Sequence, residues 1–141
     1  MRRALAPEKA KAAVIAWARV RFPAWVSEVE VAFARVPASC FVAVADRRVV
    51  GFACHDTICR NFFGPAGVQE SQRGKGIGTA LLFSSLHAQK AEGYAYAIVG
   101  GIGPAEFYAR VVGATLIERS QPGIYDELLS GCDGTRPPIA G

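Results

Sequence analysis

Val68-Gln69-Glu70-Ser71-Gln72-Arg73-Gly74-Lys75-Gly76-Ile77-Gly78-Thr79-Ala80-Leu81-Leu82 is the stretch that decides how this chain is read. It continues an apolar segment, Asn61 to Val68, passes through a turn with Gly74, Gly76 and Gly78, and enters a run with Ile77, Leu81, Leu82 and Leu86 at helical spacing. Strand, bare-backbone turn and helix therefore succeed one another. Glycines without a Cβ let a ligand reach the main chain, and a helix N-terminus presents unpaired N–H groups and a partial positive charge. The combination suits an anion, and the first expectation is a phosphate cradle.

Three phosphate-binding patterns compete for this turn. A Walker loop needs an upstream glycine where Gln69 stands and a Ser or Thr where Gly76 follows Lys75, so that pattern is excluded. A dinucleotide fingerprint needs a third glycine where Thr79 stands and an acidic residue ending the next strand, whereas Glu92 precedes that strand; this pattern is disfavoured. The third pattern, Arg/Gln-x-x-Gly-x-Gly/Ala, is matched without a gap by Arg73-Gly74-Lys75-Gly76-Ile77-Gly78. Through this loop the sequence resembles the GNAT superfamily of acyl-CoA-dependent N-acyltransferases, whose loop follows a central strand ending in an apolar residue five positions before the arginine. Val68 and Arg73 stand at that separation.

Upstream of the loop, Ala10, Val14, Trp17 and Ala18 recur at helical spacing from Pro7 until Phe22-Pro23 stops the run. Ser27 with Glu30 reads as a capping box opening a second short helix, Glu28 to Arg35, which Pro37 ends. Met1 to Leu5 reads as the tail of a first strand. From Cys40 the period changes: Phe41 to Ala45 and Val49 to His55, joined at Asp46-Arg47, read as a tight hairpin. Asn61 to Val68 would pair beside it, with a bulge at Gly64-Pro65 because proline has no N–H for the ladder.

Downstream, the helix runs to about Glu92 and stops at Gly93. A strand, Tyr94 to Val99, and a short helix from Pro104 to Gly113 follow. Thr115 to Glu118 and Ile124 to Leu129 are expected as a final pair of strands, with Gly131 to Gly141 as a tail. The expectation is one acetyltransferase domain over 1–130. Its fold class is α/β (α+β), a single mixed, mostly antiparallel sheet with helices on both faces, as the resemblance implies.

Composition narrows the function classes. Hydrophobic residues make up 51% and charged residues 20%, so one sizeable core can form and disorder is excluded. A net charge of +4 without any Lys/Arg run longer than a pair argues against a nucleic-acid partner. Cys40, Cys54, Cys59 and Cys132 show no Cys-x-x-Cys spacing, and two histidines leave a half-site at Cys54-His55 short of ligands, so no metal is expected. No apolar run reaches the roughly 18 residues of a membrane span, and no signal peptide is apparent. A cytoplasmic protein without a membrane partner is the expectation.

The resemblance implies the chemistry. Acetyl-CoA would be the co-substrate, its pyrophosphate on the N–H groups of Gly74, Lys75, Gly76, Ile77, Gly78 and Thr79, with Arg73 and Lys75 adding positive field. Main-chain groups of Ala66, Gly67 and Val68 would bond the thioester carbonyl and pantetheine. Phe107-Tyr108 resembles the family's Phe-Tyr pair, which assigns Tyr108 the role of acid for the departing thiolate. Two departures alter that helix: one extra residue separates Tyr108 from Gly113, where Ala114 follows in place of an aromatic, and Gly101 replaces a frequent asparagine. The early helices would border the acceptor, so Trp17, Trp25, Glu28, Glu30 and Phe33 are candidates to face it, although packing is the commoner role. Tyr125 is a further candidate for that pocket.

Candidate bases are Glu30, His55, Asp56, Glu70 and Glu106, and the residues alone do not choose among them. The expected reaction is transfer of an acetyl group to a primary amine of a small molecule or peptide. A homodimer is an expected assembly. The alternative is a non-catalytic acyl-CoA-binding or partner-binding module on the same fold.

Overall fold

The computed structural model describes residues 2–3, 10–101, 103–126 and 129. Five strands, β1 (Arg2–Arg3), β2 (Cys40–Ala45), β3 (Arg48–His55), β4 (Phe62–Val68) and β5 (Ile98–Val99), form one sheet in that order. The first three pairings are antiparallel and β4 with β5 is parallel. The mixed, mostly antiparallel sheet is the one expected. Asp46 (φ 48) and Arg47 (φ 62) make the β2–β3 turn, and two left-handed residues in succession match the right-handed twist of the strands they join.

Successive residues of β3 face opposite sides of the sheet, and this alternation sorts the helices. Phe52 meets rings from the end of α1 (Ala12–Arg21) and from the 3-10 turn Pro23–Trp25. Together with α2 (Val26–Ala34), that side builds the larger core, with Val14, Ala18, Val29, Ala32, Cys40 and Cys54 all buried. Gly51, its neighbour, faces α3 (Ile77–Ala91): a Cβ there would stand 3.2 Å from Leu81. Leu81 and Leu82 are buried beneath that helix. Helices thus cover both faces.

Local sequence explains most helix ends. Phe22 leaves helical geometry at φ −140 immediately before Pro23. Gly76, at φ 77, turns the chain into α3, and Gly93, at φ 99, follows its last turn. The capping box at Ser27 does not form. Helix α2 already begins at Val26 and has no side-chain cap, because the Pro23–Trp25 turn leads the chain into the helix two residues before the expected Glu28. The expected start of the first helix at Pro7 lies outside the described residues.

The chain divides into two compact units between Gly100 and Gly101. The second holds α4 (Ala105–Val112), opened by Pro104 and closed by Gly113 at φ 66, as expected. The final strand pair is not found among its described residues. Thr115 to Glu118 carries no strand, and Gly123–Tyr125 is a 3-10 turn instead. Leu116, Ile117 and Ile124 are exposed. Four apolar-rich residues bounded by a turn at Arg119 (φ 57) hold a β conformation only where a partner strand supplies the ladder. Strand β5 is likewise shorter than the expected Tyr94 to Val99.

Candidate functional site

The ladder between β4 and β5 is brief. Phe62 pairs with Ile98 and Phe63 with Val99, and among the described residues no further pair is made as β4 continues to Val68. At this departure the β3–β4 register slips: Ala53 faces Ala66, yet His55 faces Phe63, so β4 holds one residue more than β3 across the interval. The extra residue falls at Gly64-Pro65, where the bulge was expected, and Gly64 takes φ 118.

The direction of the main chain beyond the bulge follows from one bond. Gln69 donates its N–H to Val50 O at 2.8 Å, on the β3 side. Alternation in an antiparallel pair then puts the Gly67 N–H on the β3 side as well, and the N–H groups of Ala66 and Val68 on the opposite side, where β5 has left. Of the three residues expected to meet the carbonyl and pantetheine, Ala66 and Val68 therefore present main-chain donors. Gly67 contributes its missing side chain.

The strand runs directly into the glycine turn. A 3-10 turn, Glu70–Gln72, leads to Arg73, whose Nε donates to Val68 O at 3.3 Å. Lys75 Nζ donates to Gln72 Oε1 at 3.0 Å, which holds two cationic side chains along the turn. Gly74 (φ 76) and Gly76 (φ 77) are left-handed, and a Cβ at either would meet nothing within 4 Å. Conformation and ligand approach, not crowding by the protein, are what glycine serves here. No side chain caps α3, so the N–H groups of Ile77, Gly78 and Thr79 point outward from its first turn. Between Ala66 and Thr79 the outward donors of β4, the charges of Arg73 and Lys75 and the open first turn of α3 follow one another along the chain, an order that suits an acceptor oxygen at one end and an anion at the other.

The candidate bases lie elsewhere. His55 and Asp56 stand at the far end of β3, about 13 Å along the strand from Gly51 and Val68. There Asp56 accepts from His55 Nδ1 at 2.7 Å, from Arg35 Nη1 at 3.2 Å and from the main chain of Asn61, while Arg35 Nη2 reaches Glu92 Oε2 at 3.1 Å. His55, Asp56 and Glu92 bring three possible metal-ligand atoms within 4.8 Å, and Arg35 already bridges the two carboxylates. Cys54 does not join them: it faces Cys40 across the hairpin on the α1–α2 side. Glu30 is exposed on α2, Glu70 begins the turn below the glycines, and Glu106 is exposed on α4. Phe33 is core.

Tyr108 lies on α4, in the second unit, with the Phe107 ring 5.1 Å away and edge-on. Burial raises its pKa above the ordinary phenol value. The group accordingly keeps its proton through the neutral range, as a proton donor must.

The family model described as acetyltransferase (GNAT) domain matches residues 37–111, more than half of the chain. The chain belongs to the GNAT acetyltransferase family. Two solved GNAT-family structures share the fold. One, a protein of Xanthomonas campestris pv. campestris, is 23% identical, with a TM-score of 0.53 over 80% of this chain and 87% of that one. The other, a GNAT family acetyltransferase from Brucella melitensis in complex with acetyl-CoA, is 22% identical, with a TM-score of 0.51 over 77% of this chain and 78% of that one. No curated protein matches the chain. No described helix is long and apolar enough to cross a membrane.

Two features of this GNAT protein were beyond sequence reading. Phe22 lies against Gly67, a contact between residues 45 positions apart with no local signature. Arg35 ties the end of α2 to Asp56 and Glu92, across 21 and 57 positions. Gly51 did carry a signal: a glycine inside an apolar strand marks a close approach, here by Leu81 and Ile77.

Proposed function

We propose that this GNAT-family protein is an acetyl-CoA-dependent N-acetyltransferase acting on a primary amine by direct attack. The observation that carries the reading is the end of the β4–β5 ladder at Phe63 and Val99, which turns the Ala66 and Val68 donors outward just upstream of the glycine turn. The Val68 N–H holds the carbonyl oxygen as charge develops on it, a contribution of about 10² to 10³ in rate for such a donor, and the Ala66 N–H, farther along the strand, takes the pantetheine. Residues Gly74 to Thr79 take the diphosphate, with Arg73 and Lys75 supplying charge. The family relative holding acetyl-CoA supports that co-substrate. Tyr108 donates its proton to the CoA thiolate, a role its raised pKa supports.

The test is thiol release from acetyl-CoA across a panel of primary amines. Acceptor-dependent release, with the acetylated amine seen by mass spectrometry, is the expected outcome. Tight CoA binding with no release under any acceptor would instead establish the competing reading, a CoA-binding module. The placement of His55 and Asp56 at the far end of β3 is what keeps that second reading in play.

A further inference from the structure

On the sheet face opposite α3, aromatic rings gather over the strand pair that leads to the proposed carbonyl site. Phe52 is the floor, with Trp17 at 6.0 Å, Phe22 at 5.9 Å and Trp25 at 6.3 Å between ring centroids, while Phe22 and Trp25 stack at 5.0 Å with planes 9° apart. Phe52 pairs with Gly67, and Phe22 lies directly on that glycine. Cluster and reaction centre are therefore separated by one glycine. Phe52 is fully buried, but Trp17, Phe22 and Trp25 are only partly so, and they form a wall with an exposed side.

Two polar atoms are shut in on this face. Trp17 Nε1 and Glu28 Oε2 are shielded from solvent, and among the described residues they have no hydrogen-bond partner and no cationic side chain pairs with Glu28. Leaving a carboxylate oxygen in that state is costly unless something else completes it. Glu28 stands one turn beyond Trp25 on α2. It also lies near Cys54, whose thiol is held protonated by burial first, then by Cys40, with the charge of Glu28 adding to the effect. Cys54 is two residues along β3 from Phe52, about 7 Å.

We infer that Glu28 anchors a second cationic nitrogen of the acceptor, so that the preferred substrate is a diamine. One nitrogen reaches the carbonyl at Val68; the other meets the Glu28 carboxylate. The hydrocarbon between them lies along Phe22 and Trp25, and the same rings attract the cation through their faces. An acceptor with a carboxylate in place of the second nitrogen is repelled. The inference rests on the acetyl-transfer reading and specifies its acceptor.

The test compares 1,4-diaminobutane with n-butylamine in acetyl-CoA-dependent thiol release, for the natural chain and for Glu28→Gln. The fluorescence of Trp17 and Trp25, the chain's 2 tryptophans, is followed during titration with each amine. A preference for the diamine of about 10- to 100-fold in kcat/KM, erased in Glu28→Gln, is expected from one charge-assisted contact. Equal rates with the two amines in the natural chain, or a preference that survives in Glu28→Gln, would overturn the inference and leave the acetyltransferase reading standing. If no amine releases thiol, the acetyltransferase reading fails and fluorescence decides alone. A saturable diamine signal lost in Glu28→Gln then sustains the anchor, and no saturable signal removes it.

Discussion

The ring of Phe22 occupies the space that any side chain at position 67 would need: a Cβ on Gly67 would meet Phe22 Cε2 and Cζ at 2.7 Å. The end of α1 is thereby locked to the centre of β4. Gly67→Ala is expected to lower stability by about 1–3 kcal/mol, the usual cost of overpacking. Because the three nearest atoms all belong to the Phe22 ring, Phe22→Ala in the same chain should recover part of the loss. Urea unfolding of the two single variants and the double variant measures this; strict additivity would mean that the ring is not what glycine accommodates.

Gly76 presents the opposite case, since a Cβ there meets nothing within 4 Å and only its φ of 77 opposes a side chain. Gly76→Ala is expected to cost about 1–2 kcal/mol of local conformation. It should also weaken CoA binding by roughly tenfold as the turn above α3 shifts. Calorimetric titration with CoA reads this directly. Lys75→Ala, which removes an exposed charge, should have a smaller effect that fades with added salt.

For Tyr108→Phe the expected outcome is a fall in turnover of about 10² with CoA affinity nearly unchanged. Burial raises the Tyr108 pKa, and the acid acts in its protonated form. Its ionisation therefore removes activity only above the ordinary phenol value of about 10. A basic limb of kcat/KM starting well below pH 10 and lost in Tyr108→Phe would contradict this placement. Turnover unchanged by the substitution would remove Tyr108 as the acid.

The clamp at the far end of β3 makes a prediction about stability alone. Asp56, with its side chain 4% exposed, accepts from Arg35, His55 and Asn61. Asp56→Asn is expected to destabilise by about 1.5–3 kcal/mol, the range for a hydrogen bond to a charged group, while CoA affinity stays unchanged. Chemical unfolding and calorimetry on the same variant separate the two properties. A large loss of CoA binding in a folded Asp56→Asn chain would contradict the distance between clamp and loop.

The thiols give a test of the hairpin. Cys40 and Cys54 are buried opposite each other and Cys59 is exposed; burial, above all, holds the Cys54 thiol protonated. Iodoacetamide on the folded chain is expected to modify Cys59 while leaving Cys40 and Cys54 untouched until denaturant is added. Peptide mapping identifies the labelled sites, and early labelling at Cys54 would argue against this packing.

What could be read in the sequence was what local chemistry dictates. The Arg73 to Gly78 loop, the Asp46-Arg47 hairpin, the bulge at Gly64-Pro65 and the stops at Gly93 and Gly113 each rest on residues whose backbone preferences are strong. Ser27 misled because a capping box is judged over four residues, and here the preceding Pro23–Trp25 turn set the helix start. Thr115 to Glu118 misled because strand propensity carries no information about whether a partner edge exists. The acceptor-side features, Phe22 on Gly67 and the solitary Glu28 Oε2, arise where helices and strands distant in sequence meet. Periodicity names such residues as apolar or polar but not as neighbours.

The early end of the β4–β5 ladder also bears on how the protein keeps in solution. From Ala66 to Val68 one rim of the central strand has no strand neighbour among the described residues, and a rim of main-chain groups outside a ladder invites pairing with another chain. An extended pantetheine lying there supplies hydrogen-bonding groups where a strand would otherwise dock. The cofactor would then protect its carrier against self-association: added CoA should slow amide exchange at Ala66 and Val68 and suppress heat-induced aggregation, making the ligand a guardian of solubility as well as a reactant.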